Sequence, residues 1–123
     1  IVLIGGGILS NEIIKTAKEG VINAHPGLLP YIRGRDAIIH SILKSIPIAV
    51  TLHFIDAGID TGDIIERYIV PIKPKDQLKD IVIKSDEICI IALTKFVEGL
   101  NKGIKLCSKK QLNKFPLFRK ATK

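Results

Sequence analysis

Asn23, His25 and Asp60 are the residues whose types and setting can do chemistry in this chain. An amide donates hydrogen bonds, an imidazole exchanges protons near neutral pH, and a carboxylate holds a positive charge or relays a proton. Asn23 and His25 stand two apart at the end of the apolar run Gly20-Val21-Ile22-Asn23-Ala24-His25, so in a strand both side chains leave the same face. Pro26 removes a backbone donor and Gly27 frees the chain to turn, which predicts the strand's end there. Two polar side chains then sit together at a strand terminus, where open α/β sheets gather ligands. Asp60 comes from Ile59-Asp60-Thr61-Gly62, 35 residues beyond His25.

The surrounding pattern predicts the elements that must position these groups. Residues 1–4 are apolar throughout and read as a parallel-type strand, ended by Gly5-Gly6-Gly7. Ser10 is placed to cap a short helix over 11–18, with Ile13, Ile14 and Ala17 on one face. Gly20 stops it and residues 21–24 form the second strand, which completes a βαβ unit. Residues 26–35 read as a loop, and Asp36 as the cap of a helix through Lys44. Residues 48–55 are β-branched and apolar, with His53 embedded, and should pair with 63–72 across the glycine-bearing connection 56–62. A long amphipathic helix is expected over 76–100, with Leu78, Ile81, Ile88, Leu93, Phe96, Val97 and Leu100 toward the core and Gly99 or Gly103 at its end. The fold class is α/β.

Bulk properties narrow the function further. The 123 residues suffice for one domain, and 46% hydrophobic content supports a buried core. No apolar stretch approaches the roughly 20 residues of a membrane span, and no signal-peptide pattern opens the chain. Cys89 and Cys107 lack metal-type spacing; Cys89 lies in an apolar run as a core residue, and a reducing cytoplasm fits both. The chain starts at Ile1, inside an apolar run, and contains no Met, so a piece of a longer protein is expected.

Three further features invite functional readings. A dinucleotide fingerprint from Gly5 would need glycine where Ser10 stands. His25, His40 and His53 share no ligand spacing, so no metal site is expected, and His53 reads as a packed, hydrogen-bonded histidine. The net charge of +7 is concentrated at one end: eight basic residues and no acid lie between Lys102 and Lys123, against eleven basic and twelve acidic residues before them. Charge alone predicts a solvated tail, or a contact with phosphate or nucleic acid. Phe115 and Phe118 predict instead that the tail docks on the body.

The segments NAHPGLLPYIRG and TLHFIDAGIDTGDII, in that order, resemble the formyltransferase family, whose members use 10-formyltetrahydrofolate. The family includes glycinamide ribonucleotide, methionyl-tRNA and sugar-nucleotide formyltransferases and the related formyltetrahydrofolate deformylase. The resemblance implies a Rossmann-like domain: a mixed sheet with parallel strands, a C-terminal hairpin and a long helix, with the N-terminal strands missing. It implies a partial catalytic domain over 1–103, followed by a basic C-terminal tail over 104–123. The family's catalytic residues fall on Asn23, His25 and Asp60, and its folate loop on Asp56, Ala57, Gly58, Ile59, Asp60 and Thr61, with Gly58 and Gly62 giving the turns. An amine would attack the formyl carbon, with Asn23 and a protonated His25 donating to the growing oxyanion and Asp60 orienting His25 and relaying protons. No metal is needed. The implied co-substrate is 10-formyltetrahydrofolate and the implied acceptor an amine, a sugar nucleotide or ribonucleotide being favoured over methionyl-tRNA. A deformylase using water, a folate-binding remnant and a basic nucleic-acid module are the alternatives. Ile1 to Ile4 would form an exposed apolar edge through which the chain associates.

Overall fold

The computed structural model describes residues 1–4, 8–111 and 115–120, so Gly5-Gly6-Gly7, read as the end of the first strand, lies outside the described residues. Strand β1 (Val2–Leu3) runs into helix α1 (Asn11–Thr16), and strand β2 (Ile22–His25) returns parallel to β1. The Ser10 hydroxyl accepts from the Ile13 N–H, as the capping pattern predicts, but α1 stops short of the expected Lys18 and buries no residue. Strand β3 (Arg33–Gly34) and helix α2 (Ala37–Leu43) follow. Asp36 occupies the N-cap of α2 in a left-handed conformation, φ 51°, and its side chain makes no capping hydrogen bond.

Strands β4 (Ala49–Phe54) and β5 (Ile64–Ile69) form the expected antiparallel hairpin. The main sheet has the order β1-β2-β4-β5, parallel in its first pair and antiparallel in the others. Helix α3 (Leu78–Asn101) lies across β2 and β4. It begins two residues after Asp76, whose carboxylate accepts from the Lys73 N–H at 2.7 Å and from Lys84, while the Asp80 carboxylate accepts from the Gln77 N–H at 2.8 Å. It ends in a Schellman turn: the Gly103 N–H reaches the Leu100 carbonyl and the Ile104 N–H the Gly99 carbonyl, both at 3.0 Å. Gly103, at φ 78°, is the terminator of the two the sequence offers.

The core lies between the sheet and α3. Ile22, Ala24, Val50 and Leu52 leave one face of β2 and β4 and meet Ile81, Cys89, Ala92 and Leu93. Of the α3 residues expected inside, Ile81 and Leu93 are buried and Ile88 and Phe96 pack at the margin. Leu78, Val97 and Leu100 are exposed, and Ser85, Cys89 and Ala92 complete the buried stripe.

Strand alternation sends Asn23, His25, Thr51 and His53 to the opposite face. Register pairs Asn23 with His53 and His25 with Thr51. The segment read as a loop over 26–35 covers this face, with Leu29 and Ile32 fully buried. Thr51 fastens it: its hydroxyl donates to the Gly27 carbonyl at 2.7 Å and accepts the Leu29 N–H at 3.2 Å. That segment also contains β3, which the sequence pattern does not predict. It pairs in parallel with strand β6 (Leu117–Phe118), near the chain's end.

Candidate active site

His53 is held by its own backbone. Its Nδ1–H donates to the Phe54 carbonyl at 2.8 Å, which leaves a lone pair on Nε2. Burial holds its pKa below the ordinary histidine value, against the opposing pull of the Asp60 charge, so the ring is neutral. The Asn23 Nδ2 lies 3.3 Å from that Nε2. A lone pair accepts only a donor, so the amide turns its NH₂ toward His53, with the second N–H left over.

His25 is fixed from the other side. Its Nε2 lies 2.9 Å from the Ile32 carbonyl, which can only accept, so Nε2 carries a proton. Nδ1 faces Asp60 Oδ2 at 3.5 Å, where a second proton would lie between ring and carboxylate. Gly27 is needed here for closeness rather than for turning: a Cβ would stand 2.5 Å from His25 Nε2 and 2.9 Å from the Ile32 carbonyl oxygen.

Asp60 closes the group. Its Oδ2 accepts the Gly34 N–H at 2.8 Å, and its Oδ1 lies 3.6 Å from His53 Nε2. Its backbone is left-handed, φ 52°, a conformation that non-glycine residues keep only when neighbours hold them. In the loop before it, the Asp56 carboxylate accepts from the Gly58 N–H at 2.9 Å and the Thr61 hydroxyl at 2.6 Å. Gly58 and Gly62 were expected to supply turns, but Asp60 takes the positive φ. A Cβ on Gly58 would meet Thr61 Oγ1 at 2.1 Å, and one on Gly62 the Phe54 carbonyl oxygen at 1.7 Å.

Asn23, His25 and Asp60 therefore converge on one cleft of about 970 Å³. Asp56, Gly58, Ile59 and Thr61 line it too, whereas Ala57 does not. His53 belongs to the group. Its burial was foreseen and its place against Asn23 was not; the one signal was that Thr51 and His53 are the polar residues at alternate positions of an apolar strand. Cys89 also lines the cleft, and burial pushes its thiol up to about 11, so it stays protonated at neutral pH. Among the described residues no group of three or more His, Cys, Asp or Glu side chains is arranged to hold a metal ion. No helix among them is long and apolar enough to cross a membrane.

Known proteins share both pattern and geometry. The chain is 36% identical over 99 residues to the methionyl-tRNA formyltransferase of Desulfotalea psychrophila, covering 80% of this chain and 31% of that protein. It is 33% identical over 82 residues to a mitochondrial formyltetrahydrofolate deformylase of Arabidopsis thaliana, covering 66% and 25%. Among solved structures, the formyltransferase PseJ from Anoxybacillus kamchatkensis, in complex with UDP-4,6-dideoxy-4-formamido-L-AltNAc and tetrahydrofolate, superposes with a TM-score of 0.84 at 25% identity, over 95% of this chain and 62% of that one. The chain thus spans less than two thirds of the proteins it matches. The family model described as formyl transferase matches residues 1–95, and the chain belongs to that family.

Proposed function

We propose that this chain carries the site at which a formyl group passes from 10-formyltetrahydrofolate to an amine. The observation that carries the reading is the convergence of Asn23, His25 and Asp60 on one cleft beside the 56–62 loop. The tetrahydrofolate in the PseJ complex supports the co-substrate. Asp56, Ala57, Gly58, Ile59, Asp60 and Thr61 are the proposed folate loop.

The amine nitrogen attacks the formyl carbon and the carbonyl π pair moves onto oxygen. The free N–H of Asn23 donates to that oxyanion, and a protonated His25 shares its Nδ1 proton between Asp60 Oδ2 and the oxyanion. The intermediate collapses, the bond to the folate nitrogen breaks, and that nitrogen gains a proton. The amine loses one, directly or through water, to Asp60, which relays it to the leaving folate nitrogen. In the intact protein His25→Ala and Asp60→Asn should each lower kcat by about 10²–10⁴-fold, the usual range for a lost general acid–base group. Near-normal turnover in either variant would sink the assignment.

The acceptor is proposed as a sugar nucleotide, on the strength of the PseJ ligand, with methionyl-tRNA as the rival. The Arabidopsis relative supports a second reading, in which water replaces the amine. Release of tetrahydrofolate from 10-formyltetrahydrofolate, followed with a panel of amines, separates these readings. Release that requires an amine identifies a transferase and its acceptor class; release without one identifies a hydrolase; binding without release identifies a remnant.

A further inference from the structure

The segment that follows α3 reaches back to the site. Lys109 makes an isolated bridge with Ile64 at the start of β5, with N–H to carbonyl bonds of 2.7 Å in both directions. Two residues later the Gln111 amide donates to the Asp60 carbonyl at 2.9 Å and to the Gly62 carbonyl at 2.7 Å. These acceptors flank Thr61, so one side chain grips the backbone on both sides of it, next to the left-handed Asp60.

The same segment reaches Asp60 by a second route. β6 pairs with β3, and the Arg35 N–H donates to the Phe118 carbonyl at 3.1 Å. Gly34, the register partner of Phe118, holds the Asp60 carboxylate through its N–H. Gly34 has φ 97°, and a Cβ there would stand 2.2 Å from the Phe118 carbonyl oxygen. The strand is anchored by Phe115 against Tyr31, centroids 4.8 Å apart, by Phe118 stacked on His40 at 4.6 Å, and by the Arg33 guanidinium on the Phe115 carbonyl. A misplacement of about 1 Å in a catalytic group can cost about 10²-fold in rate, so a grip on Asp60 bears directly on turnover.

From this geometry we propose that Gln111 is a positioning residue for Asp60, and that residues 104–111 and 115–120 act as a strap completing the catalytic group. The inference rests on the role of Asp60 under Proposed function. It extends that role to a residue 51 positions away.

The test compares Gln111→Ala, Gln111→Glu and Gln111→Lys in the whole protein that carries this chain. Glutamate keeps the shape and loses both donors; lysine keeps donors and loses the shape. Two quantities are read: kcat for formyl transfer, and amide hydrogen exchange of residues 57–63 without folate. Expected are a fall in kcat of about 10–10²-fold for the Ala and Glu variants, and exchange at least about tenfold faster in that loop, with β4 and α3 unchanged. The Lys variant should stand between them and wild type in both. Unchanged loop exchange in Gln111→Glu overturns the proposal, as does faster exchange with wild-type kcat. If the wild type transfers no formyl group at all, the formyl-transfer reading fails. Loop exchange alone then decides whether Gln111 holds Asp60.

Discussion

Each of the two site histidines has one ring nitrogen committed to the backbone, and that fixes what the other can do. His53 gives Nδ1–H to Phe54 and presents a lone pair to Asn23; His25 gives Nε2–H to Ile32 and presents Nδ1 to Asp60. Losing the donor in Asn23→Ala should lower kcat by about 10²–10³-fold, the range for a single oxyanion donor, with folate binding preserved. Equal losses in kcat and in folate affinity would point to a collapsed loop instead. His53 also makes stability depend on pH. Its folded pKa lies below the unfolded value of 6.5 because burial disfavours the charged ring. Between those two values the unfolded chain binds a proton that the folded chain refuses, so stability is full above about 6.5 and falls as pH drops through the folded pKa. Denaturant midpoints measured between about pH 7.5 and 5 should fall more steeply in wild type than in His53→Gln; parallel curves would contradict the assignment. Asn23 and His25 were legible because a period of two and a strand-ending Pro-Gly leave little choice about where they sit, and Asp60 was joined to them by the family resemblance. Gln111 and Gly34 were not, because their contacts with Asp60 span 51 and 26 residues and no local pattern encodes them.

At the scale of elements, hydrophobic period settled what was long and regular. The βαβ start, the hairpin and the long helix follow from runs whose apolar spacing fits one geometry. β3 and β6 are two residues each and exist only through one another, so neither carries a propensity signal of its own. The inward face of α3 was misjudged at Leu78, Val97 and Leu100, since periodicity alone gives a stripe and not the portion the sheet covers. Its C-terminus offers an isolated measurement. Gly103 has nothing within 4 Å of where a Cβ would stand, so Gly103→Ala tests the left-handed backbone alone. A loss of about 1 kcal/mol in unfolding free energy is expected, with folate binding unaffected. An unchanged midpoint would mean that the turn is not held as described.

Across the whole molecule, charge and apolar surface are unevenly shared. Lys105, Lys109, Lys110, Arg119 and Lys120 stay exposed while the strap is held by backbone bonds and rings, so docking leaves its charge in solvent. The two edges of the sheet differ in the same way. β5 is met by Lys109 at its start and carries exposed Glu66 and Arg67, which blunt strand addition. β1 pairs on one side only among the described residues, and Ile1, Val2 and Ile4 are 58%, 43% and 59% exposed. An apolar edge with free backbone donors and acceptors is a template for another strand. The 123-residue chain by itself should therefore associate as concentration rises, which light scattering reports directly. Val2→Lys should restore the monomer, because a charge on an edge strand opposes pairing without touching the α3 core. A wild-type chain that stays monomeric at high concentration would remove the premise. Association undiminished in Val2→Lys would move the seat of pairing away from β1, and the exposed apolar residues of α3, Ile83 and Ile90 among them, would be the next surface to alter.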